Sequence, residues 1–318
     1  MALAYIFTIL KNVIYGASVF FTSSLSNSTD VLDLLALRFL MSFTVLFLLK
    51  ITGVLKIRIG VRDIFRPTQR HAYVRPLLLS ALFEPLLYMV LETLGITMTT
   101  SITAGVILSL PPIFSCIFEE VILKERSSTL KKIFLALGIV GVIYIAVNTS
   151  SAAGKDTPFG ILCLVGAVVS GCLYCVFSRK AASHFSAFEV SYVACMLAAA
   201  FFNGINVVRH LFAGDLLHYF DPYCSLENMI GFVFLAILST VIAASMNNYA
   251  LGKIRVTTVS AFGGISTFVT IAIGCLVGKE QLYGFHLVGL ALILIRMIGV
   301  SYISITGEKH KQAADTNE

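Results

Sequence analysis

Charged residues are scarce in this sequence. Asp, Glu, Lys and Arg make up 13% of its 318 residues, against about 25% in soluble globular domains, while hydrophobic residues make up 58%. A water-soluble fold of this composition has too few polar groups to cover its surface, so much of that surface must face lipid. Because a helix crosses a bilayer with roughly 20 mostly apolar residues, the chain has room for about ten spans and for no separate soluble domain.

Motifs of nucleotide hydrolysis and of common membrane hydrolases are also missing. The chain contains no G-x-x-x-x-G-K-[ST], H-E-x-x-H or G-x-S-x-G motif. These absences exclude direct ATP drive by this chain and disfavour an intramembrane enzyme, so we expect no enzyme activity and no metal or other cofactor. Cys172 and Cys175 form a C-x-x-C on an apolar segment without a second pair, which favours helix packing over a redox or metal site.

The apolar segments predict an all-α polytopic membrane protein with ten transmembrane helices. Short polar connections separate the segments, and residues 306–318 form a polar cytoplasmic tail that we expect to be unstructured. The predicted spans are residues 3–23, 32–50, 76–96, 100–121, 131–148, 158–178, 187–209, 229–250, 256–277 and 285–305.

Lys and Arg are distributed unevenly between the two sets of connections. With the N-terminus in the cytoplasm, and with residues at the ends of spans assigned to the nearer side, the cytoplasmic side holds 17 of the 23 Lys and Arg residues, the outer side holds three, and three lie in the interior of spans. Cytoplasmic loops are enriched in these residues. The distribution therefore predicts a multi-pass protein of the plasma membrane with both termini cytoplasmic. It also attributes the net charge of +6 to topology rather than to nucleic-acid binding.

The two halves of the chain resemble each other. Residues 91–106 match residues 248–264, so that Gly95 aligns with Gly252 and Thr100 with Thr257. Each half contains five predicted spans, and an odd number per repeat forces the halves into opposite orientations. The sequence therefore predicts two inverted five-helix repeats at residues 3–148 and 158–305, an architecture typical of secondary transporters with a site between the halves.

Several short motifs in this order resemble the drug/metabolite transporter superfamily and its EamA-type members. The motifs are Arg38-Phe39, Thr99 to Ala104, Pro111-Pro112, Lys124-Glu125-Arg126, Tyr249-Ala250-Leu251 and Gly278-Lys279-Glu280. The resemblance covers about residues 3–305 and implies ten helices in two inverted repeats. Second repeats of this family usually carry a proline in the ninth span, where this chain has Ser266-Thr267. A hinge there must come from Gly263-Gly264 or be absent.

Polar side chains line up on two of the predicted helices. Thr8, Lys11, Tyr15, Ser18 and Thr22 fall on one stripe of the first span. Charged residues within spans usually pair or line water, so we expect this stripe to face a central cavity.

The third span carries a second such face, with Glu84, Tyr88 and Glu92 four residues apart. A Lys11–Glu84 pair is one prediction for the cavity, and separate partners for the two side chains are the alternative.

Three further groups of polar residues have two interpretations each. Arg38 either forms an outer gate with Glu92 or acts as a structural brace, and we favour the brace. Arg296 in the tenth span either has a structural role or contacts a dimer partner. Uncharged residues of the second half contact substrate or bond helices together; they are Ser170, Tyr174, Asn247 and Asn248. Glu119 and Glu120 end the fourth span, where a surface pair of Glu120 with Lys124 is favoured.

Small residues and prolines interrupt corresponding helices of the two halves. Paired weak points of this kind indicate moving, substrate-facing helices in inverted repeats. They are Gly105, Pro111 and Pro112 in the fourth span, and Gly263 and Gly264 in the ninth.

The resemblance and the polar stripes together predict a secondary transporter working by alternating access. A cavity lined by Lys, Glu, Tyr and Asn suits small polar or zwitterionic metabolites such as amino acids, which we expect the protein to export. Its partners are the small-molecule substrate, the lipid bilayer, a coupling proton or ion and a second copy in a homodimer. Efflux of lipophilic cations or drugs is the main alternative, since the chain has 24 Phe and 12 Tyr. A non-transporting membrane sensor or assembly subunit is another.

Overall fold

Helices make up nearly all of the computed structural model, which describes residues 2–59, 71–124, 127–149, 156–277 and 283–315. Within these ranges there is no β-strand. Two π-helical segments, Leu82–Leu87 and Phe234–Ala243, join α3 to α4 and α10 to α11. The helices are α1 (Ala2–Leu25), α2 (Val31–Ile51), α3 (His71–Ala81), α4 (Tyr88–Thr97), α5 (Ser101–Ile107), α6 (Pro111–Ile122), α7 (Thr129–Thr149), α8 (Pro158–Ala181), α9 (Ala187–Ala213), α10 (Leu226–Val233), α11 (Ala244–Leu251), α12 (Val256–Ala261), α13 (Gly263–Leu276) and α14 (Gly284–Asp315).

Eight helical stretches of the described chain are long and apolar enough to cross a membrane. Two more predicted spans, 131–148 and 285–305, coincide with α7 and with the apolar part of α14 at Leu287–Ile303. The last helix continues to Asp315, so the prediction of an unstructured tail is wrong for residues 306–315. Residues 60–70, part of the predicted inner loop between the second and third spans, lie outside the described ranges.

Local sequence signals explain where several helices begin and end. The Asp30 side chain accepts a hydrogen bond from Leu32 N at the start of α2, and Ser186 with Glu189 forms a capping box at the start of α9. Such caps satisfy backbone N–H groups that have no partner within the helix. Gly214 ends α9 with φ at +76°, a conformation that glycine adopts without steric cost.

Three of the long helical stretches are interrupted. α3 and α4 are separated by the segment that contains Glu84, α5 and α6 by Leu108 to Leu110, and α12 and α13 by Phe262. The interruption between α5 and α6 lies next to Pro111, whose missing N–H cannot continue a helix. The interruption between α12 and α13 lies next to Gly263.

α14 packs closely on α7 and on the interruption between α5 and α6. The Arg296 side chain is 0% exposed, and its Nη1 donates a 2.6 Å hydrogen bond to the Ser109 carbonyl oxygen. This carbonyl lies two residues before Pro111, where the helical hydrogen-bond ladder is broken. Arg296 therefore joins α14 to this break, as the structural interpretation expects, and its contact with a dimer partner stays a prediction.

At the end of α6, the ion pair of Glu120 differs from the predicted one. Glu120 forms an ion pair of 2.9 Å with Lys132 rather than with Lys124, because Lys124 has left the helix with φ at 58°. The neighbouring Glu119 side chain is completely buried.

Candidate functional site

A cavity of about 140 Å³ lies at the centre of the helices. Its walls come from helices α1, α2, α4, α5, α6, α8, α11, α12 and α13 and from the two π-helical segments. Residues from both of the sequence halves therefore contribute to one site. Two basic and two acidic side chains reach the cavity, and their formal charges cancel; they are Lys11, Arg38, Glu84 and Glu92.

The polar stripe of α1 faces this cavity over its middle part. Lys11, Tyr15 and Ser18 line the cavity, whereas Thr8 is buried and donates to the Ala4 carbonyl oxygen at 2.7 Å. The Lys11 ammonium donates to Asn247 Oδ1 at 2.7 Å and lies 5.5 Å from the centre of the Tyr15 ring. Lys11 thus connects α1 to α11 through an amide oxygen.

Glu84 lies at the interruption between α3 and α4. Its backbone is extended, with φ of −143° and ψ of 122°, and the next residue is Pro85. The Ser170 hydroxyl of α8 donates to the carbonyl oxygen of Phe83 at 2.8 Å and so satisfies a backbone group at the break. Within the described residues, neither an ion pair within 4.0 Å nor a side-chain hydrogen bond joins Glu84 to Lys11.

Tyr88, Glu92 and Arg38 form the next part of the cavity wall. The Tyr88 hydroxyl donates to Glu92 Oε1 at 2.7 Å. The Arg38 guanidinium donates to Thr240 Oγ1 at 2.9 Å and to Ser239 Oγ at 3.4 Å, and it is nearly completely buried. Its hydrogen bonds brace α2 against the π-helical segment before α11. Arg38 also lines the cavity, a position that the sequence did not predict.

A second cavity of about 40 Å³ adjoins the first and shares Tyr15, Arg38 and Glu84 with it. Asn248 lines it and accepts hydrogen bonds from Tyr174 Oη at 2.5 Å and from Ser178 Oγ at 2.7 Å.

The Nδ2 group of Asn248 donates to Ser191 Oγ at 3.0 Å. These bonds join α8, α9 and α11. All four uncharged residues considered from sequence bond helices together, and three of them also line a cavity: Asn247 lines the larger one, and Tyr174 and Asn248 line the smaller one.

The glycines and prolines predicted to loosen the helices lie at or near the cavity. Gly105, Pro111 and Gly263 line it. Pro112 is buried within α6, and the Gly264 Cα faces the Met297 side chain of α14. Flexibility at these positions remains a prediction.

Sequence reasoning missed two features of the site. Cys175 lines the cavity, although the C-x-x-C spacing indicated helix packing alone; Cys172, its neighbour, is buried against the Pro111 carbonyl oxygen. The interruption at Glu84 was also missed, and the Glu84-Pro85 dipeptide is the signal that would have revealed it. In the described ranges, no group of three or more His, Cys, Asp or Glu residues is arranged to hold a metal ion.

These features define a class: a multi-pass α-helical membrane protein with a small polar cavity between its helices. Comparison with known proteins identifies the family. The chain belongs to the EamA-like transporter family, whose model matches residues 2–147 and residues 158–302. It is 30% identical over 296 residues to the uncharacterized transporter YcxC of Bacillus subtilis (strain 168), covering 93% of this chain and 92% of the relative.

A solved crystal structure has the same fold. It superposes with a TM-score of 0.69 over 97% of this chain and 99% of its own, at 17% sequence identity. The family and the relative show that the protein is a membrane transporter.

Proposed function

We propose that this protein is a secondary transporter that moves small zwitterionic or polar metabolites, such as amino acids, by alternating access. The observation that carries the proposal is the central cavity, in which the charges of two acidic and two basic side chains cancel. A zwitterion matches such a site, whereas a substrate with a large net charge would leave some of these groups uncompensated.

The architecture that we propose has ten transmembrane helices in two inverted five-helix repeats, at residues 3–148 and 158–305. Support comes from the two separate matches to one family model and from the interruptions of α5–α6 and α12–α13, which occupy corresponding places in the two halves. The Lys and Arg distribution supports a plasma-membrane protein with cytoplasmic termini, residues 306–318 included. We propose that transport is directed out of the cell and that the protein forms a homodimer.

The size of the cavity favours a metabolite over a drug. Sites for drug-sized ligands occupy about 300–1,000 Å³, and the cavity measures about 140 Å³. The aromatic rings of Tyr15 and Tyr88 in the wall are the observation that favours the second candidate, efflux of lipophilic cations, because cations bind aromatic faces.

Transport by the purified protein tests the proposal. In liposomes, we expect amino acids to accumulate when an ion gradient is imposed or when internal substrate is available for exchange. A thermal-shift screen against amino acids, nucleosides and cationic drugs should show stabilisation by the first group, since a ligand that binds only the folded state stabilises it. Stabilisation by drugs alone contradicts the metabolite proposal, and protein that binds but never transports is a sensor or assembly subunit.

Lys11 is proposed to bind the carboxylate of the substrate. Replacement by Met keeps much of the side-chain volume but removes the charge and the hydrogen bond to Asn247. We expect the KM for amino acids to rise about 10-fold or more, because hydrogen bonds to charged groups contribute about 1.5–3 kcal/mol. Lys253→Met, at an exposed position, is the control and should transport normally. A fully active Lys11→Met protein removes Lys11 from the mechanism.

Energy coupling is proposed to involve Glu84. Its carboxylate faces the cavity, and the nearest basic group on α1, Lys11, donates its hydrogen bond to Asn247 instead. A carboxylate that is not held by a basic partner can exchange a proton or bind a cation as the cavity changes its access. Counter-substrate exchange and coupling to another ion are the alternatives that the liposome experiment separates.

A further inference from the structure

Glu119 is a completely buried carboxylate that lies outside the cavity. It is 0% exposed at the end of α6. Glu119 Oε1 accepts a hydrogen bond from Val256 N at 3.0 Å, and Oε2 accepts one from Thr257 Oγ1. Two arginines also approach Oε1, Arg179 Nη1 at 3.2 Å and Arg255 Nε at 3.7 Å. The carboxylate thus joins α6, α8 and α12, and most of the hydrogen bonds that it accepts are donated by the start of α12.

The contact between α6 and α12 continues toward the cavity. One helical turn inward from Glu119, the Ser115 hydroxyl lies 2.8 Å from the Ser260 hydroxyl. Ser260 and Val259 are already part of the cavity wall. The α6–α12 contact therefore forms one end of the cavity, at the face that the Lys and Arg distribution assigns to the cytoplasm.

An apolar cluster surrounds this end. Ala4 of α1, Val176 of α8 and Leu251 of α11 pack together there with Val256 and Val259 of α12, and Tyr5, Phe118 and Tyr249 lie against them. These contacts are weakly directional. Within the described ranges, Glu119 and the Ser115–Ser260 pair form hydrogen bonds across the α6–α12 contact.

A buried carboxylate holds helices together only while its donors stay in place. Its desolvation is costly, and loss of a partner leaves an uncompensated buried charge. Separation of α6 from α12 must therefore break several bonds to one group in a single step or bring water to it. The structure shows the arrangement with these bonds formed, and an open arrangement requires Glu119 to be hydrated.

We propose that Glu119 is a positioning residue that holds the cytoplasmic ends of α6 and α12 together and so closes the cavity to the cytoplasm. The inference rests on the proposed alternating-access function and on the proposed orientation. α6 and α12 belong to the interrupted helices of opposite halves, so a bond between them links the two parts that must separate when the cavity opens inward.

A different carboxylate caps the corresponding short helix at the other end of the molecule. Asp156 Oδ1 accepts from Thr100 N at 2.7 Å, and Oδ2 accepts from Thr103 Oγ1 at 2.6 Å, at the start of α5. Thr100 is the residue that aligns with Thr257 in the sequence repeat. Asp156 is only half-buried, whereas Glu119 is completely buried and lies beside two arginines.

Cys175 provides a direct readout of this closure, because it lines the cavity next to the apolar cluster. In a protein that retains Cys175 as its single cysteine, a membrane-impermeant maleimide is applied to the cytoplasmic face of inside-out vesicles and to the outer face of right-side-out vesicles. Glu119→Gln should raise the rate of Cys175 alkylation from the cytoplasmic face about tenfold or more, because weakening of the closed state populates the open one.

Glu120→Gln is the matched control. It changes the adjacent carboxylate, which pairs with Lys132 on the surface, and should leave the alkylation rate unchanged. Thr257→Val removes one donor to Glu119 with little change in shape and should also raise the rate of Cys175 alkylation from the cytoplasmic face. This variant tests the proposal if Glu119→Gln does not fold.

Unchanged Cys175 reactivity in folded Glu119→Gln and Thr257→Val proteins overturns the proposal, as does an equal increase in Glu120→Gln. The outcome is independent of substrate. If no transport is found but Cys175 responds as expected, the closure stands and the proposed transport function fails; normal transport with unresponsive Cys175 rejects the closure alone.

Discussion

Replacing Glu84 with Gln is expected to lower substrate uptake at subsaturating concentrations by about 10- to 100-fold in liposomes. The Glu84 carboxylate lines both cavities, and within the described residues no basic side chain forms an ion pair with it. The substrate ammonium group, or a coupling proton, is the partner that we propose. Gln keeps the size of the side chain but removes its charge, so the loss measures the charge interaction itself.

Two other glutamates provide controls for Glu84→Gln. Glu92 already accepts a hydrogen bond from Tyr88, so Glu92→Gln should have the smaller effect of the two cavity substitutions. Glu227 is exposed at the start of α10, and Glu227→Gln should transport like the wild type.

The kinetics separate the two roles of Glu84. A raised KM with unchanged dependence on the ion gradient indicates substrate binding, whereas gradient-independent exchange that persists without net uptake indicates coupling. Wild-type kinetics in all respects would falsify both roles. A charge exchange, Lys11→Glu with Glu84→Lys, should restore part of the activity if the two groups bind opposite ends of one substrate.

The helical composition of the fold could be predicted from the sequence because each signal is local. A run of about 20 apolar residues can cross a bilayer as a helix, because the helix satisfies all of its backbone hydrogen bonds within the segment. A β-strand does so only within a closed barrel. The cavity-facing sides of α1 and of α4 were predictable for the same reason. Spacing of four residues places Lys11 with Tyr15, and Tyr88 with Glu92, on one helical face. Glu84 reaches the cavity from the interruption before α4, where its extended backbone does not follow helical spacing.

The partners of those side chains could not be predicted, because they depend on how distant helices pack. Lys11 bonds to Asn247, 236 positions away, rather than to Glu84. The position of a residue along its helix is only one coordinate, and it leaves the rotation of that helix against distant helices undetermined. Rotation also decides the fate of adjacent residues: Glu119 is buried against α12 and Glu120 reaches the surface, although both end the same predicted span.

The substitution Gly16→Ala is expected to destabilise the protein strongly, although the change adds a single methyl group. A Cβ atom at Gly16 of α1 would lie 2.5 Å from the backbone oxygen of Ser266 and 2.7 Å from the Val269 Cβ of α13. A backbone oxygen cannot rotate away as a flexible side chain can. The Thr270 hydroxyl also donates to the Gly16 carbonyl oxygen at 2.9 Å, so α1 and α13 must separate and weaken this bond.

Overpacking of this kind typically costs about 1–3 kcal/mol, which predicts a fall of about 3–10 °C in the apparent Tm of the purified protein. Transport should fall as well, because the displaced α13 carries Ser266 and Thr270 of the cavity wall. Gly204→Ala is the matched control: it lies within α9 with no atom within 4 Å of the added Cβ. Because Ala has the higher helix propensity, Gly204→Ala should leave the Tm unchanged or raise it slightly. Equal Tm values for the two variants would show that α1 and α13 do not approach as closely as the Gly16 contact requires.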